Sequence, residues 1–283
     1  MKTFSKSPGS ERLVAVPCDL CGRESTRPLY GPRSLWVRCT ECGLVYQNPQ
    51  PVREELLGRY DDAYFNYEIE NETGFFELMK LGLADIHFQE IESTLGDTRS
   101  FLDVGCATGM LIEWAKSRGW REKGVEVCSP AAEYGRNERG VDIFAGVLEE
   151  ARFEDASLDV VHCSHLIEHL NDPHGFVQEA KRILAPGGYF IITTPNIDGL
   201  QSRLFRADWR SLIADHLYLF SASTLERLLR KQGFEILRRK TWGGLGVGTA
   251  PPWIKRSVDR LAKRFGFGDV VIVLARKPES ARE

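Results

Sequence analysis

Apolar and polar positions follow two different periods along this chain, and the change of period divides it. From residue 101 onward, short apolar runs recur at 101–104, 124–127, 142–144, 158–163, 189–194, 234–237 and 270–274. Runs of this length, bounded by turn residues, predict strands. Between them, 110–117, 130–137 and 173–184 carry apolar residues at helical spacing. The last of these starts with Asp172 as cap and Pro173 at its first position, and it stops before Pro186-Gly187-Gly188. A capping box at Ser223-x-x-Glu226 predicts another helix, ending at Gly233. Strands alternating with helices imply an α/β fold, a mostly parallel sheet with helices on both faces. Upstream, 52–95 reads as helical and is crowded with aromatics, among them Tyr60, Tyr64, Phe65 and Tyr67. Pro49-Gln50-Pro51 interrupts ladder and helix alike and places a boundary near residue 50. The Gly- and Pro-rich segment 243–252 predicts a surface loop.

Four of the seven cysteines crowd into two knuckles, Cys18-x-x-Cys21-Gly22 and Cys39-x-x-Cys42-Gly43. Four thiolates on two tight turns make a closed tetrahedral set for structural zinc, with no open position for substrate. A pair of disulfides or a redox dithiol are the other uses of such cysteines. The odd cysteine count, and a start with no apolar signal-peptide core, favour reduced thiols and a cytoplasmic protein. Net charge is -3, so no global basic field favours nucleic acid, and no apolar run is long enough to span a bilayer. The expected organisation is a zinc ribbon at 11–50, a helical connector at 51–97 and a large domain at 98–283.

The run from Phe101 to Gly109 is a buried strand that enters a small-residue turn, at the sheet edge where α/β folds bind ligands. It is not the dinucleotide fingerprint, which would need glycine at 105, 107 and 110 where this chain has Gly105, Ala107 and Met110. The next strand ends in Glu126, an acid able to accept both hydroxyls of a ribose. Leu102-Asp103-Val104-Gly105-Cys106-Ala107-Thr108-Gly109 resembles the first motif of the class I S-adenosylmethionine-dependent methyltransferases, which usually have glycine where Ala107 stands. Gly124-Val125-Glu126 resembles their second motif. Arg182 to Gly188, followed by a strand and Thr194-Pro195-Asn196, resembles the segment around their fifth strand. The resemblance covers about 95–275 and implies a Rossmann-like seven-stranded sheet with the last strand antiparallel. It implies S-adenosylmethionine as cofactor, with Asp103, Gly105, Cys106, Ala107 and Gly109 along the methionine end. Glu126 and Val127 would lie at the ribose, the turn of Gly146, Val147 and Leu148 at the adenine, and Ser164 at the edge of the fourth strand.

His165, Glu168 and His169 follow that fourth strand at spacing i, i+3, i+4, which would put them on one face of a helical turn, and His216 is a fourth candidate. This arrangement is similar to Glu-x-x-Glu-His in the O-methyltransferases of ubiquinone synthesis and in small-RNA 2′-O-methyltransferases, with His165 replacing the first Glu. Three roles stay open: a divalent metal on the four residues, His165 or His216 as general base, or positioning alone. A simple histidine base would lose activity below a pH of about 6.5. Cys106, Cys128 and Cys163 read as small buried residues, Trp209 and Trp242 as core, and Arg203, Arg206 and Arg210 as a solvated face. The function implied is methyl transfer to oxygen of a small-molecule acceptor such as a sugar, cell-envelope precursor or secondary metabolite. An RNA-modifying enzyme that reads RNA through the ribbon, and a non-catalytic docking protein, are the alternatives.

Overall fold

The structure, a computed structural model, describes residues 11–32, 34–96, 99–246 and 248–279. The chain opens with β1 (Leu13–Val14), β2 (Thr26–Pro28), β3 (Trp36–Cys39), β4 (Val45–Gln47) and β5 (Gln50–Pro51). Three helices follow where the sequence predicts one helical stretch: α1 (Arg53–Leu57), α2 (Asp62–Asp85) and α3 (Phe88–Thr94). They are separated because the Asp61 carboxylate caps α2, accepting from the N–H groups of Ala63 and Tyr64, and because His87 turns the chain through φ 57°.

The large sheet uses β6 (Ser100–Val104), β7 (Arg121–Glu126), β8 (Ile143–Ala145), β9 (Leu158–Ser164), β10 (Leu184–Pro195), β12 (Glu235–Trp242) and β13 (Val270–Arg276). Their spatial order is β12-β13-β10-β9-β6-β7-β8. Only β13 runs against its neighbours, pairing antiparallel with both β10 and β12. Helices α4 (Met110–Ser117), α5 (Ser129–Glu138), α6 (Pro173–Ile183) and α8 (Ala222–Lys231) make the crossovers. Central strands are buried on both faces, which is why β6 and β13 read as near-continuous apolar runs instead of alternating ones. In α6, Asp172 accepts from the Gly175 N–H at 2.8 Å and Pro173 sits in the first turn, as expected. The cap of α8 differs: Ser221 and Thr224 form the box, two residues upstream of the predicted pair. Two helices escape the sequence pattern, α7 (Leu200–Phe205) and α9 (Pro252–Phe265), the second presenting Trp253 and Phe265 to solvent.

A second sheet has the order β11-β4-β3-β2, where β11 (Tyr218–Leu219) comes from the far end of the chain. The cysteine region is therefore woven into the large domain and not hung beside it. Among the described residues, no helix is long and apolar enough to cross a membrane.

Candidate active site

The turn after β6 is built by backbone that few residues tolerate. Gly105 has φ 75° and Gly109 has φ 81°, while Ala107 occupies the same left-handed region at 49°. A Cβ at Gly109 would come within 2.9 Å of Val141, so this glycine serves the packing of helix on sheet. A Cβ at Gly105 would meet Leu166 at 3.4 Å, which sets this turn directly beside the segment carrying His165. Glu126, at the end of β7, crosses beneath the turn: its carboxylate accepts from the N–H of Ala107 at 2.9 Å and of Cys128 at 2.8 Å. It is 3% exposed, and among the described residues no cation pairs with it. Burial pushes its pKa up, against the pull of the backbone N–H groups. A carboxylate offers about four acceptor positions, so acceptor capacity remains for ribose hydroxyls beside the backbone N–H groups that already hold it. The half-buried Gly146 and Val147 continue from β8 at the same edge, and the Gly146 N–H donates to the Glu126 carbonyl at 2.8 Å.

Two expected cofactor contacts go elsewhere. Asp103 is 3% exposed and its carboxylate meets His162 Nδ1 at 2.7 Å inside the sheet, so it braces the turn from below. Cys106 turns its side chain into the core against Gly124, where a Cβ would lie 2.6 Å from its sulfur, so only its backbone faces the turn.

At the end of β9, His165 has φ 54° and only Ile167–His169 forms a short 3-10 turn. The shared helical face predicted for His165, Glu168 and His169 is therefore absent, and the four candidates do not make one donor set. Instead His165 Nδ1 lies 3.2 Å from Glu168 Oε1, while Thr194 donates to Oε2 at 2.9 Å. Ligand atoms of Glu168, His169 and His216 converge within 4.8 Å of one another, without His165. His169 Nδ1 faces the Asp215 carbonyl and His216 Nδ1 the Ser211 carbonyl, each at 2.8 Å. A carbonyl only accepts, so both Nδ1 atoms carry a proton, and in the neutral ring the lone pair is then on Nε2. Glu168 is fully buried; burial alone would raise its pKa, but the hydrogen bond from His165 and the charges of His165, His169 and His216 hold it at about 2. Burial drives His216 the other way, down to about 3.

The sulfur atoms of Cys18, Cys21, Cys39 and Cys42 lie within 4.8 Å of one another, with 3.3 Å between Cys18 and Cys42 and 3.5 Å between Cys21 and Cys39. These separations are far beyond a disulfide bond and near the roughly 3.8 Å edge of a tetrahedral zinc–thiolate set. Gly22 and Gly43 take φ 72° and 82°, the left-handed turn each knuckle needs. Burial acts to raise the Cys39 pKa, but N–H groups of Cys42 and Glu41 outweigh it and bring it to about 7.

Residues 77–239, more than half the chain, match the family described as methyltransferase domain. The chain belongs to the methyltransferase family. The matched region carries the class I fold, whose members take the methyl group from S-adenosylmethionine. A probable S-adenosylmethionine-dependent methyltransferase of Mycolicibacterium smegmatis is 35% identical over 145 residues, 49% of this chain and 52% of that one. A ubiquinone biosynthesis O-methyltransferase of Burkholderia vietnamiensis is 31% identical over 49% of this chain and 60% of its own length. The methyltransferase thus spans little more than half of these curated relatives. Among solved structures, a possible histamine N-methyltransferase of Thermotoga maritima aligns with TM-score 0.54 and 24% identity, over 75% of this chain and 98% of that one. The putative methyltransferase in complex with a Trm112 activator, from Haloferax volcanii, gives TM-score 0.60 at 17% identity, over 78% and 97% of the two chains. At such identities these two show the fold alone.

The helices before the methyltransferase sheet, a connector by their sequence pattern, reach the turn after β6. Glu72 of α2 accepts from Thr108 of the turn after β6 at 2.7 Å and pairs with Arg139 at 2.8 Å. One turn earlier, Tyr64 bonds Glu68, whose pKa is raised to about 7 by burial and then by Glu126, and lowered in part by Tyr64 and His165. Tyr60 lies in the field of Glu126, Asp215 and Glu168. Carboxylates gathered from four segments in a half-buried space repel one another, an environment that fits a cationic sulfonium and an ammonium. The aromatic spacing in 52–95 was the visible signal, but nothing in it said which surface those rings meet.

Acid should unfold this methyltransferase through the same cluster. The folded pKa of His216, about 3, lies below the ordinary 6.5, so between these values only the unfolded chain takes up that proton. Stability is therefore lost as pH falls from 6.5 toward 3, with a slope of about 1.4 kcal/mol per pH unit from this group. Glu168 acts with the same sign: its contribution is present above 4.5 and lost as pH falls through about 2. Urea midpoints from pH 7 to 4 should fall more steeply in the parent than in His216→Asn. Equal slopes would contradict burial of a neutral imidazole.

Proposed function

We propose that the protein transfers a methyl group from S-adenosylmethionine to a hydroxyl of a small molecule, with His165 as general base and a structural zinc on Cys18, Cys21, Cys39 and Cys42. The observation that carries this reading is the His165–Glu168 pair. Its Nδ1 end is fixed by a buried carboxylate, while the imidazole itself is about half exposed at the end of β9, next in the chain to Leu166, whose side chain faces Gly105. Glu168 accepts from Nδ1–H, so Nε2 carries the lone pair that takes the hydroxyl proton, and the carboxylate stabilises the imidazolium that forms. Glu126, itself held by the N–H groups of Ala107 and Cys128, would hold the ribose. The bound cofactor supplies a methyl group that is already activated, so the chain's work is alignment and removal of one proton. Aromatic Tyr60 and Tyr64 would close the acceptor side against water.

A second reading has its own support: Glu168, His169 and His216 could hold a divalent ion, their Nδ1 atoms being anchored by carbonyls as metal-bound histidines usually are. The small-molecule acceptor is favoured over RNA because the cysteine module's sheet is occupied by β11 and its knuckles bond the large domain, through Lys231 to the Leu20 carbonyl and Arg227 to that of Cys42. Methyl-labelled cofactor offered with small phenols and hydroxy acids alongside bulk RNA should label oxygen in the small-molecule fraction. Label in RNA, or on carbon or nitrogen, would overturn the proposal.

A further inference from the structure

The hairpin β3–β4 carries Cys39 and Cys42 at its tip and pairs Trp36 with Gln47 at its base. Its outer edge is completed by β11, which sets Tyr218 against Tyr46 and Leu219 against Val45. Gln47 is 5% exposed and faces the segment just before β11. Its backbone N–H donates to the Leu217 carbonyl at 2.8 Å. Its side-chain amide lies 2.6 Å from the His216 carbonyl, 3.0 Å from that of Ala214 and 3.4 Å from that of Ile213. One NH2 group with two hydrogens thus serves three carbonyls of a stretch that has no helix or strand of its own to satisfy them.

The other side of that stretch meets the catalytic residues. The Leu217 N–H donates to the Glu168 carbonyl at 2.7 Å, and the Asp215 carbonyl accepts from His169 Nδ1 at 2.8 Å. Arg59 holds Asp215 at 2.7 Å and Glu11 at 2.8 Å, tying the same loop to the start of the cysteine region. By contrast, among the described residues no hydrogen bond joins 11–51 to the cofactor turn and its floor at 101–128.

We propose that Gln47 is a positioning residue for His169 and His216, and that the zinc-loaded cysteine module acts through it as a clamp on residues 213–217. The inference rests on the catalytic reading of this histidine cluster. Metal on the four sulfurs fixes the hairpin tip, the tip fixes the register, and the register delivers the Gln47 amide to the three carbonyls. Without metal, four neighbouring thiols have no reason to stay together, and the hairpin loses the constraint that sets its base.

The full-length protein with 15N-labelled histidine tests this without an acceptor. In the zinc-loaded parent, the Nδ1 protons of His169 and His216 should be protected from exchange by their carbonyl partners. Gln47→Leu should keep about one zinc per chain and bind S-adenosylmethionine within about twofold of the parent, yet lose both protected signals. Removing zinc from the parent with a chelator should have the same effect on the signals. Arg59→Gln, which leaves hairpin and amide in place, should loosen Asp215 and disturb His169 first. Persistence of both signals in Gln47→Leu and in the zinc-free parent would overturn the proposal. So would parallel loss of cofactor binding, which would make the module a support for the whole fold. Failure of the catalytic reading looks different: His165→Ala would retain turnover while the signals still answer to Gln47.

Discussion

Glu126→Ala should raise the Kd for S-adenosylmethionine by about 100-fold or more. Each ribose hydroxyl bonded to an ionised, buried carboxylate contributes about 1.5–3 kcal/mol, and both bonds vanish together. The lower end is expected because the N–H groups of Ala107 and Cys128, which now donate to the carboxylate, can turn toward water in the variant. Calorimetric titration of parent and variant measures this directly. A thermal melt without cofactor separates lost binding from lost fold, since a variant that binds weakly but melts near the parent has lost the site alone. An unchanged Kd would remove Glu126 from the cofactor site.

His165→Ala should lower kcat by about 10²–10⁴-fold while leaving cofactor affinity near the parent value. Glu168→Gln should have an effect of similar size, because the glutamine can still accept from Thr194 but cannot stabilise an imidazolium at His165. Retained turnover in both variants would end the general-base reading. A chelator distinguishes the other use of the cluster, since loss of turnover with cofactor binding and the four-cysteine zinc intact would favour an ion on Glu168, His169 and His216. The pH profile adds a constraint absent from the sequence. Burial holds His216 at about 3, so an acid limb near pH 6.5 cannot come from that residue.

The parallel core was legible because its strands are short, apolar and bounded by glycine, proline and aspartate. The turn after β6 was legible because a tight connection between strand and helix restricts residue choice, as at Gly105 and Gly109. The cysteine knuckles were legible for a similar reason: spacing alone limits where four sulfurs can go. The histidine cluster was only half legible. Helical spacing suggested a shared face, but the left-handed turn at His165 divides it, giving His165 to Glu168 and turning His169 toward Asp215. Residue spacing carries no sign of a left-handed residue that breaks the turn. Least legible were contacts between distant segments, such as Glu72 with Thr108 or Gln47 with the His216 carbonyl. A glutamine ending a strand and a glutamate on an exposed helix look ordinary until the fold supplies their partners.

The central claim is that the β6 turn and Glu126 bind S-adenosylmethionine with its reactive methyl toward His165. A crystal structure with bound S-adenosylhomocysteine tests it most directly. Both ribose hydroxyls should lie on the Glu126 carboxylate, the adenine beside Gly146 and Val147, and the sulfur on the side of the turn that faces His165 Nε2. A ligand bound elsewhere, or one seated on Glu126 with its sulfur directed away from His165, would contradict it.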